Sequence, residues 1–241
     1  MAAGESEPVP LATKTSDLGT RALSALVMLA VAGIAFWLGG IWLDGFILTV
    51  ALATFWEFAR LIARIEWSGA VKLVAWVLGA LYIGLAASFL IRMESVETVL
   101  LVVGAVICVD TFAYAFGRTL GGPKIAPRIS PSKTWAGLLG GVVGATIALL
   151  VWTEFSSAGS NVVYRPPMEY AALILPGAAI AVVAQAGDFF ESWLKRRAGM
   201  KDSSNLIPGH GGVFDRTDGL LPVAILIGMA MQLLAPHWLA G

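Results

Sequence analysis

The chain has 241 residues, with 16 basic and 16 acidic side chains and a formal net charge of zero; 13% of positions are charged and 58% are hydrophobic. A soluble domain usually carries about 25% charged residues, so this chain has too few to cover its apolar surface in water. Disordered chains have the opposite composition, nucleic-acid binders carry a basic excess, and the single Cys108 excludes a disulfide scaffold and reads as inert packing within a span.

What remains is an integral membrane protein, and its elements can be taken in order. The opening MAAGESEPVPLATKTSD is polar and proline-containing, which predicts a short disordered tail over residues 1–20. Residues 22–43 hold no charge. That run exceeds the h-region of a signal peptide, and acids accompany Lys14 and Arg21 before it, so it is a span rather than a cleaved leader. Residues 45–62 are apolar apart from Glu57 and Arg60, which fall three apart and either pair with each other inside the bundle or serve catalysis. Residues 73–91 are uncharged, and 98–117 contain only Asp110. Residues 134–153 and 170–187 are also uncharged, and Pro176-Gly177 should kink or break the second of these. From Gly219 onward nothing is charged, giving a last span that ends near Pro236, with His237 at the interface. Each run approaches the roughly 20 residues that cross a bilayer core. The fold class is therefore all-α, a polytopic membrane protein of about seven helices and nine at most.

Lys and Arg set the orientation. With the N-terminus in the cytoplasm, 14 of the 16 fall on the inside and only Arg92 and Arg165 outside, which satisfies the positive-inside rule. The C-terminus then lies outside. The chain divides into the tail (1–20), a first group of spans (21–95) and a region 96–241 with two cytoplasmic loops, 117–134 and 188–218.

Those loops and their flanking helix ends hold most of the polar chemistry. Asp110, Tyr114 and Arg118 are four apart and share one helix face. Asp110 would cost roughly 2.5–3.5 kcal/mol facing lipid near a helix centre, so it faces a polar cavity, binds a cation or pairs with Arg118. The proline- and glycine-broken stretch that follows can present Lys124, Arg128, Ser130, Ser132, Lys133 and Thr134 to phosphates, or serve as an ordinary basic loop. In the second loop Asp188, Ser192, Lys195 and Arg196 form one helical stripe. A turn-rich patch, Pro208-Gly209-His210-Gly211-Gly212, then leads into Asp215-Arg216-Thr217-Asp218. Three acids in one segment, Asp188, Asp215 and Asp218, suit a hard divalent cation such as magnesium. His210 touches a phosphate or base, or caps a turn, and no His/Cys set with zinc spacing exists.

The run SWLKRRAGMKDSSNLIPGHGGVFDRTD, from Ser192 to Asp218, resembles the signature of phosphatidate cytidylyltransferases, also called CDP-diacylglycerol synthases. The upstream DTFAY…GR…ISPSKTWAG block resembles the same family, and together the blocks with the spans around them cover roughly residues 100–235. One departure is Ala136, where many members carry Glu, and another is the loop reading GGPK. The resemblance implies that region 96–241 is catalytic, converting CTP and phosphatidate into CDP-diacylglycerol and pyrophosphate for phospholipid biosynthesis. It also implies a magnesium requirement with potassium as a second ion, metal on the acids Asp188 and Asp215, and a homodimer in the cytoplasmic (inner) membrane whose active site opens to the cytosol, with no nucleic acid involved.

Within that reaction Asp218 would be a third ligand or would orient the others. Lys195, Arg196 and Arg216 would hold phosphates, Ser192, Ser132, Lys133 and Thr134 would add donors, and Asp110, Tyr114, Arg118, Lys201 and His210 would complete the substrate surface. The phosphate of phosphatidate is already ionised, so positioning and cation stabilisation carry the rate. Two other readings fit the composition. A CTP-dependent polyprenol or phytol kinase would release CDP in place of pyrophosphate, and a non-enzymatic transporter would place charge at mid-membrane depth in several spans.

Overall fold

The structure is a computed structural model and describes residues 11–93, 95–157 and 167–234. Its helices are α1 (Leu11–Leu38), α2 (Gly40–Arg64), α3 (Gly69–Arg92), α4 (Val96–Thr119), α5 (Trp135–Ser157), α6 (Pro167–Ala172), α7 (Ile174–Arg197), α8 (Phe214–Thr217) and α9 (Leu220–Leu234). Six of the stretches are long and apolar enough to cross a membrane, with α6 and α7 making one continuous span from Met168 to Arg197; α9 is a shorter apolar helix. The chain is a polytopic helical membrane protein. At 15 residues, the described part of α9 reaches only about 22 Å, and Pro236 and His237 lie outside the described residues.

Three expectations are refined. Helix α1 begins at Leu11, ahead of the span Leu18–Leu38, so residues 11–20 are helical rather than a disordered tail. No proline falls in that segment, and adding turns to an existing helix avoids the cost of nucleation. Residues 1–10 lie outside the described residues. The break attributed to Pro176-Gly177 falls at Leu173, between α6 and α7. Pro176 has no N–H for the carbonyl of Ala172 and its ring crowds that carbonyl, so the ladder is interrupted one turn ahead of the proline. Finally, the loop 117–134 contains a two-stranded antiparallel ribbon, β1 (Lys124–Ala126) and β2 (Ser130–Thr134), with Lys124 opposite Thr134 and Ala126 opposite Ser130.

Short connections between α2 and α3 and between α3 and α4 make these neighbours antiparallel. The C-terminal ends of α2, α4 and α7 therefore meet at the basic end of the bundle. The core between the helices is built from Phe58, Leu61 and Ile62 of α2, Val102 and Val109 of α4, Leu194 of α7 and Val223 of α9. Many large apolar side chains point outward instead, among them Leu26, Leu29, Leu48, Leu81 and Leu139, as a lipid-facing surface requires. Trp37 and Trp42, 84% and 65% exposed, mark the α1–α2 junction, where amphipathic rings favour a membrane interface.

Helix α5 packs closely on α4 because it carries glycine along the contact. A Cβ at Gly140 or Gly144 would run into the carbonyls of Phe112 and Cys108. Small residues let helices approach in lipid, where no hydrophobic force draws them together. Gly144→Leu is expected to lower the thermal midpoint of detergent-solubilised protein through an overpacking cost of about 1–3 kcal/mol. Gly104→Leu, on α4 with open space around it, should leave the midpoint near the parent value in the same fluorescence-monitored melt.

Candidate functional site

A cleft of about 570 Å³ opens where the C-terminal ends of α4 and α7 meet the β-ribbon and α8. From α4 it is lined by Asp110, Tyr114 and Arg118, and from the ribbon by Lys124, Ser132, Lys133 and Thr134. Helix α7 supplies Gln185 and Asp188, and the α8 segment supplies Asp215 and Asp218. Residues separated by more than 100 positions thus face one cavity.

Local rules place these groups. Thr134 is the last ribbon residue and its Oγ1 accepts from the Gly137 amide at 3.0 Å, so it caps α5. It is buried at 2% exposure, and that hydroxyl is already engaged. Arg118 donates to the Tyr114 hydroxyl and lies over its ring at 5.8 Å, so the pairing of Arg118 with Asp110 is not formed. Next to Asp188, Gly187 lies against the Asp218 backbone, and a Cβ there would collide with the Asp218 carbonyl. That close approach sets Asp188 and Asp218 side by side.

Charge balance follows from this crowding. Lys133 forms an ion pair with Asp188. Burial alone would lower the Lys133 ammonium, but the Asp188 charge and hydrogen bond, with Asp110 and Asp218 nearby, raise it above the usual lysine range. Asp218 is pushed up to about 8, first by burial and then by the Asp188 charge, against an opposing hydrogen bond from the Gly219 amide. Such a site gains from a proton or a cation.

Asp215 is held differently. Lys195 Nζ lies 2.7 Å from its Oδ1, and its Oδ2 accepts from the Gly212 amide at 2.7 Å, the Ser203 amide at 3.0 Å and the Ser203 hydroxyl at 2.9 Å. Burial favours its neutral form, but hydrogen bonds with Glu191 and Lys195 and from Gly212 outweigh it and hold the carboxyl well below the usual range. Asp215 is thus tied to the loop by its hydrogen bonds while it also lines the cleft. Among the described residues no three carboxylates converge closely enough to hold a metal ion as they stand. The donor set that fits a hard cation is the crowded pair Asp188 and Asp218, with Asp110 the next acid acting on both.

The remaining expected site residues stand outside the cleft. Lys195 bridges Asp215 and Glu191 beneath it, with Nζ 2.7 Å from Glu191 Oε1. Ser192 is half-buried, while Arg196 and Lys201 are exposed. His210 Nδ1 lies 2.8 Å from Ser24 Oγ on α1, and Arg216 donates to the His210 carbonyl at 2.7 Å. Arg216 also lines a second, apolar cavity of about 490 Å³ between α1, α2, α4 and α9. Asp215 and Asp218 thus face the cleft, while Arg216 and Thr217 face the apolar cavity.

Four polar groups take roles that the sequence pattern did not give them. Glu57 does not pair with Arg60. It is fully buried and accepts from the Ser203 hydroxyl at 2.9 Å, the Ser204 hydroxyl, and the Val213 and Phe214 amides at 3.1 and 2.7 Å. Arg60 instead donates to the Ser203 carbonyl at 3.2 Å and lies over the Trp56 ring. Loop donors satisfy Glu57 better than one guanidinium could, because a buried carboxylate has lone pairs for several hydrogen bonds. Ser203 and Glu191 are buried links to Asp215. Gln185 is 4% exposed, lines the cleft, and its Oε1 has no hydrogen-bond partner among the described residues. Its signal was an amide in an otherwise apolar span.

Comparison with known proteins gives one consistent result. Residues 66–234 match the model of the cytidylyltransferase family. A protein of Brucella melitensis biotype 1 named phosphatidate cytidylyltransferase is 33% identical, covering 88% of this chain and 92% of its own length. Proteins of the same name from Rickettsia bellii and Rickettsia prowazekii are 41% and 37% identical over 49% and 61% of the chain, and over 51% and 66% of their own lengths.

Two measurements probe this geometry. Asp215→Asn should cost about 1–3 kcal/mol of stability by loosening charged hydrogen bonds, read as a lower melting midpoint. The raised Asp218 group binds its proton more tightly folded than unfolded, so that stabilisation is complete below the ordinary 3.8 and is lost as pH rises through about 8. In chelator-treated protein the midpoint should therefore fall across that window, and Asp218→Asn should flatten the fall.

Proposed function

We propose, from the premise that the chain belongs to the cytidylyltransferase family, how its cleft carries out the reaction. The chain is an enzyme that transfers CMP from CTP to phosphatidate, giving CDP-diacylglycerol and pyrophosphate. The observation that carries the site reading is the convergence of Asp110, Asp188, Asp218 and Lys133 on one cleft at the basic end of an apolar bundle. Its size falls within the usual range for small-molecule sites.

A phosphate oxygen of phosphatidate attacks the α-phosphorus of CTP, the bond from that phosphorus to the oxygen bridging to the β-phosphate breaks, and pyrophosphate leaves with the electron pair. The nucleophile is already an anion, so no general base is required. The barrier is the approach of two anions and the charge gathered on the leaving group, so fixed positive groups lower it. Lys133 would hold phosphate oxygens in the cleft, with Arg118 and Lys124 at its rim. Lys195 stays with Asp215 and Glu191 and keeps the α8 segment in place. Gln185 would accept from CTP, whose cytosine amino and ribose hydroxyl groups are donors, whereas ionised phosphates are not. Ser192, Arg196 and Lys201, outside the cleft, have no part in the step, and His210 serves the contact with α1.

A magnesium ion, with potassium beside it, would be held by Asp188 and Asp218 and would supply neutralisation of phosphate charge. The acyl chains of phosphatidate would occupy the apolar cavity, with Arg216 near the headgroup. The basic end of the bundle would face the cytoplasm in the cytoplasmic membrane, and the chain would act as a homodimer.

Purified protein given labelled CTP, phosphatidate and magnesium should yield a lipid nucleotide and stoichiometric pyrophosphate. Release of CDP would point to a kinase, and no turnover beside solute uptake to a transporter. Asp188→Asn and Asp218→Asn should each lower kcat/KM at least about 100-fold. Near-parent activity in either would remove that residue from the site. For orientation, a cysteine introduced at exposed Lys124 should be labelled by a membrane-impermeant thiol reagent only after spheroplasts are opened.

A further inference from the structure

Helix α2 contributes a stripe of polar side chains that the transfer reaction as described does not use. Thr54, Glu57 and Arg60 are three apart on one face, and each holds the segment 203–217. Thr54 Oγ1 lies 3.1 Å from Thr217 Oγ1, and Arg60 reaches the Ser203 carbonyl. Between them Glu57 gathers two hydroxyls and two backbone amides from that segment. Phe58 adds an edge-on contact to Phe214, centroids 6.1 Å apart.

Two features separate this from ordinary packing. Glu57 is fully buried two turns from the end of a membrane span, where an unpaired carboxylate is costly, so the loop and the carboxylate each require the other. The Ser203 hydroxyl lies 2.9 Å from both Glu57 Oε2 and Asp215 Oδ2, which joins α2 directly to the wall of the cleft. Gly212 permits this, since a Cβ there would strike both the Ser203 hydroxyl and the Glu57 carboxylate. Glu57 also lies N-terminal to the family-matched region, residues 66–234.

We propose that Glu57 is a positioning residue for CMP transfer. Acting through Ser203 and the Val213 and Phe214 amides, it holds the loop before α8 so that Asp215 and Asp218 keep their register against Asp188. Helix α2 is thereby part of the catalytic apparatus as well as a membrane span. This rests on the cleft being the transfer site.

The test compares parent, Glu57→Gln, Glu57→Asp and Ser204→Ala as monodisperse detergent-purified proteins, with two readouts per folded molecule: steady-state transfer and hydrogen exchange of the 203–214 amides. Glu57→Gln keeps the shape and removes the charge. It should lower kcat about 10-fold or more, as expected for a small misplacement of reacting groups, with KM for both substrates changed less than about threefold, and it should speed exchange at Gly212 to Phe214. A merely structural role would reduce the yield of folded protein and leave kcat per folded molecule unchanged. A folded Glu57→Gln with kcat within about twofold of the parent overturns the proposal. If Glu57→Gln does not fold, Glu57→Asp and Ser204→Ala decide: kcat falling in step with lost protection supports the proposal, and unchanged kcat in both overturns it. An inactive parent would instead overturn the transfer reading itself.

Discussion

A carboxylate inside an apolar helical bundle persists only when donors surround it, and the catalytic end of this protein is folded around that requirement. Glu57 draws in the amides of Val213 and Phe214 and the hydroxyls of Ser203 and Ser204. Asp215 draws in Gly212, Ser203 and Lys195 from the other side. A segment rich in glycine and serine has little regular structure of its own. Buried Glu57 and half-buried Asp215 supply the acceptors that give it a single conformation.

The same constraint explains why Asp188 and Asp218 behave differently from Asp215. They are pressed together by the Gly187 contact, and Lys133 forms its ion pair with Asp188 alone of the two. Their negative charge is incompletely balanced, and Asp218 is pushed toward neutrality as a result. One part of the acidic set is saturated by loop donors and fixes geometry. The other is under-compensated, and on the proposed reading it is where a cation or the phosphates of a substrate would exchange partners. On the proposed reading, this division of labour places rigid supports under the surface that would hold the reactants.

Much of the architecture was legible because lipid imposes simple rules on the chain. Runs of apolar residues, the one-sided distribution of Lys and Arg and the break caused by Pro176 all follow from backbone satisfaction and charge in a bilayer. The helical stripe of Asp110, Tyr114 and Arg118 and the acids at 188, 215 and 218 were likewise visible as polar groups in an apolar background. Glu57 and Arg60 were visible too, but were matched to each other because they are near in sequence. In the folded chain both turn to residues some 140 positions away, and no periodicity carries that information. Arg196 and Lys201 show the converse: a run of cations suggests phosphate contact, and the fold leaves both exposed outside the cleft.

From the residues alone came the membrane setting, the span count and the family resemblance of the loops, because composition, run length and motif spacing are properties of local sequence. Only the tertiary structure decided which charges face the cleft and which hold the loop. That choice depends on where helix faces meet: Gly187 against Asp218, Thr134 turned into the α5 cap, and Glu57 reaching from α2 to the amides before α8. Each carboxylate could have been a ligand, a partner or an anchor. Burial and the number of donors within reach select among these, and both exist only once the helices have packed.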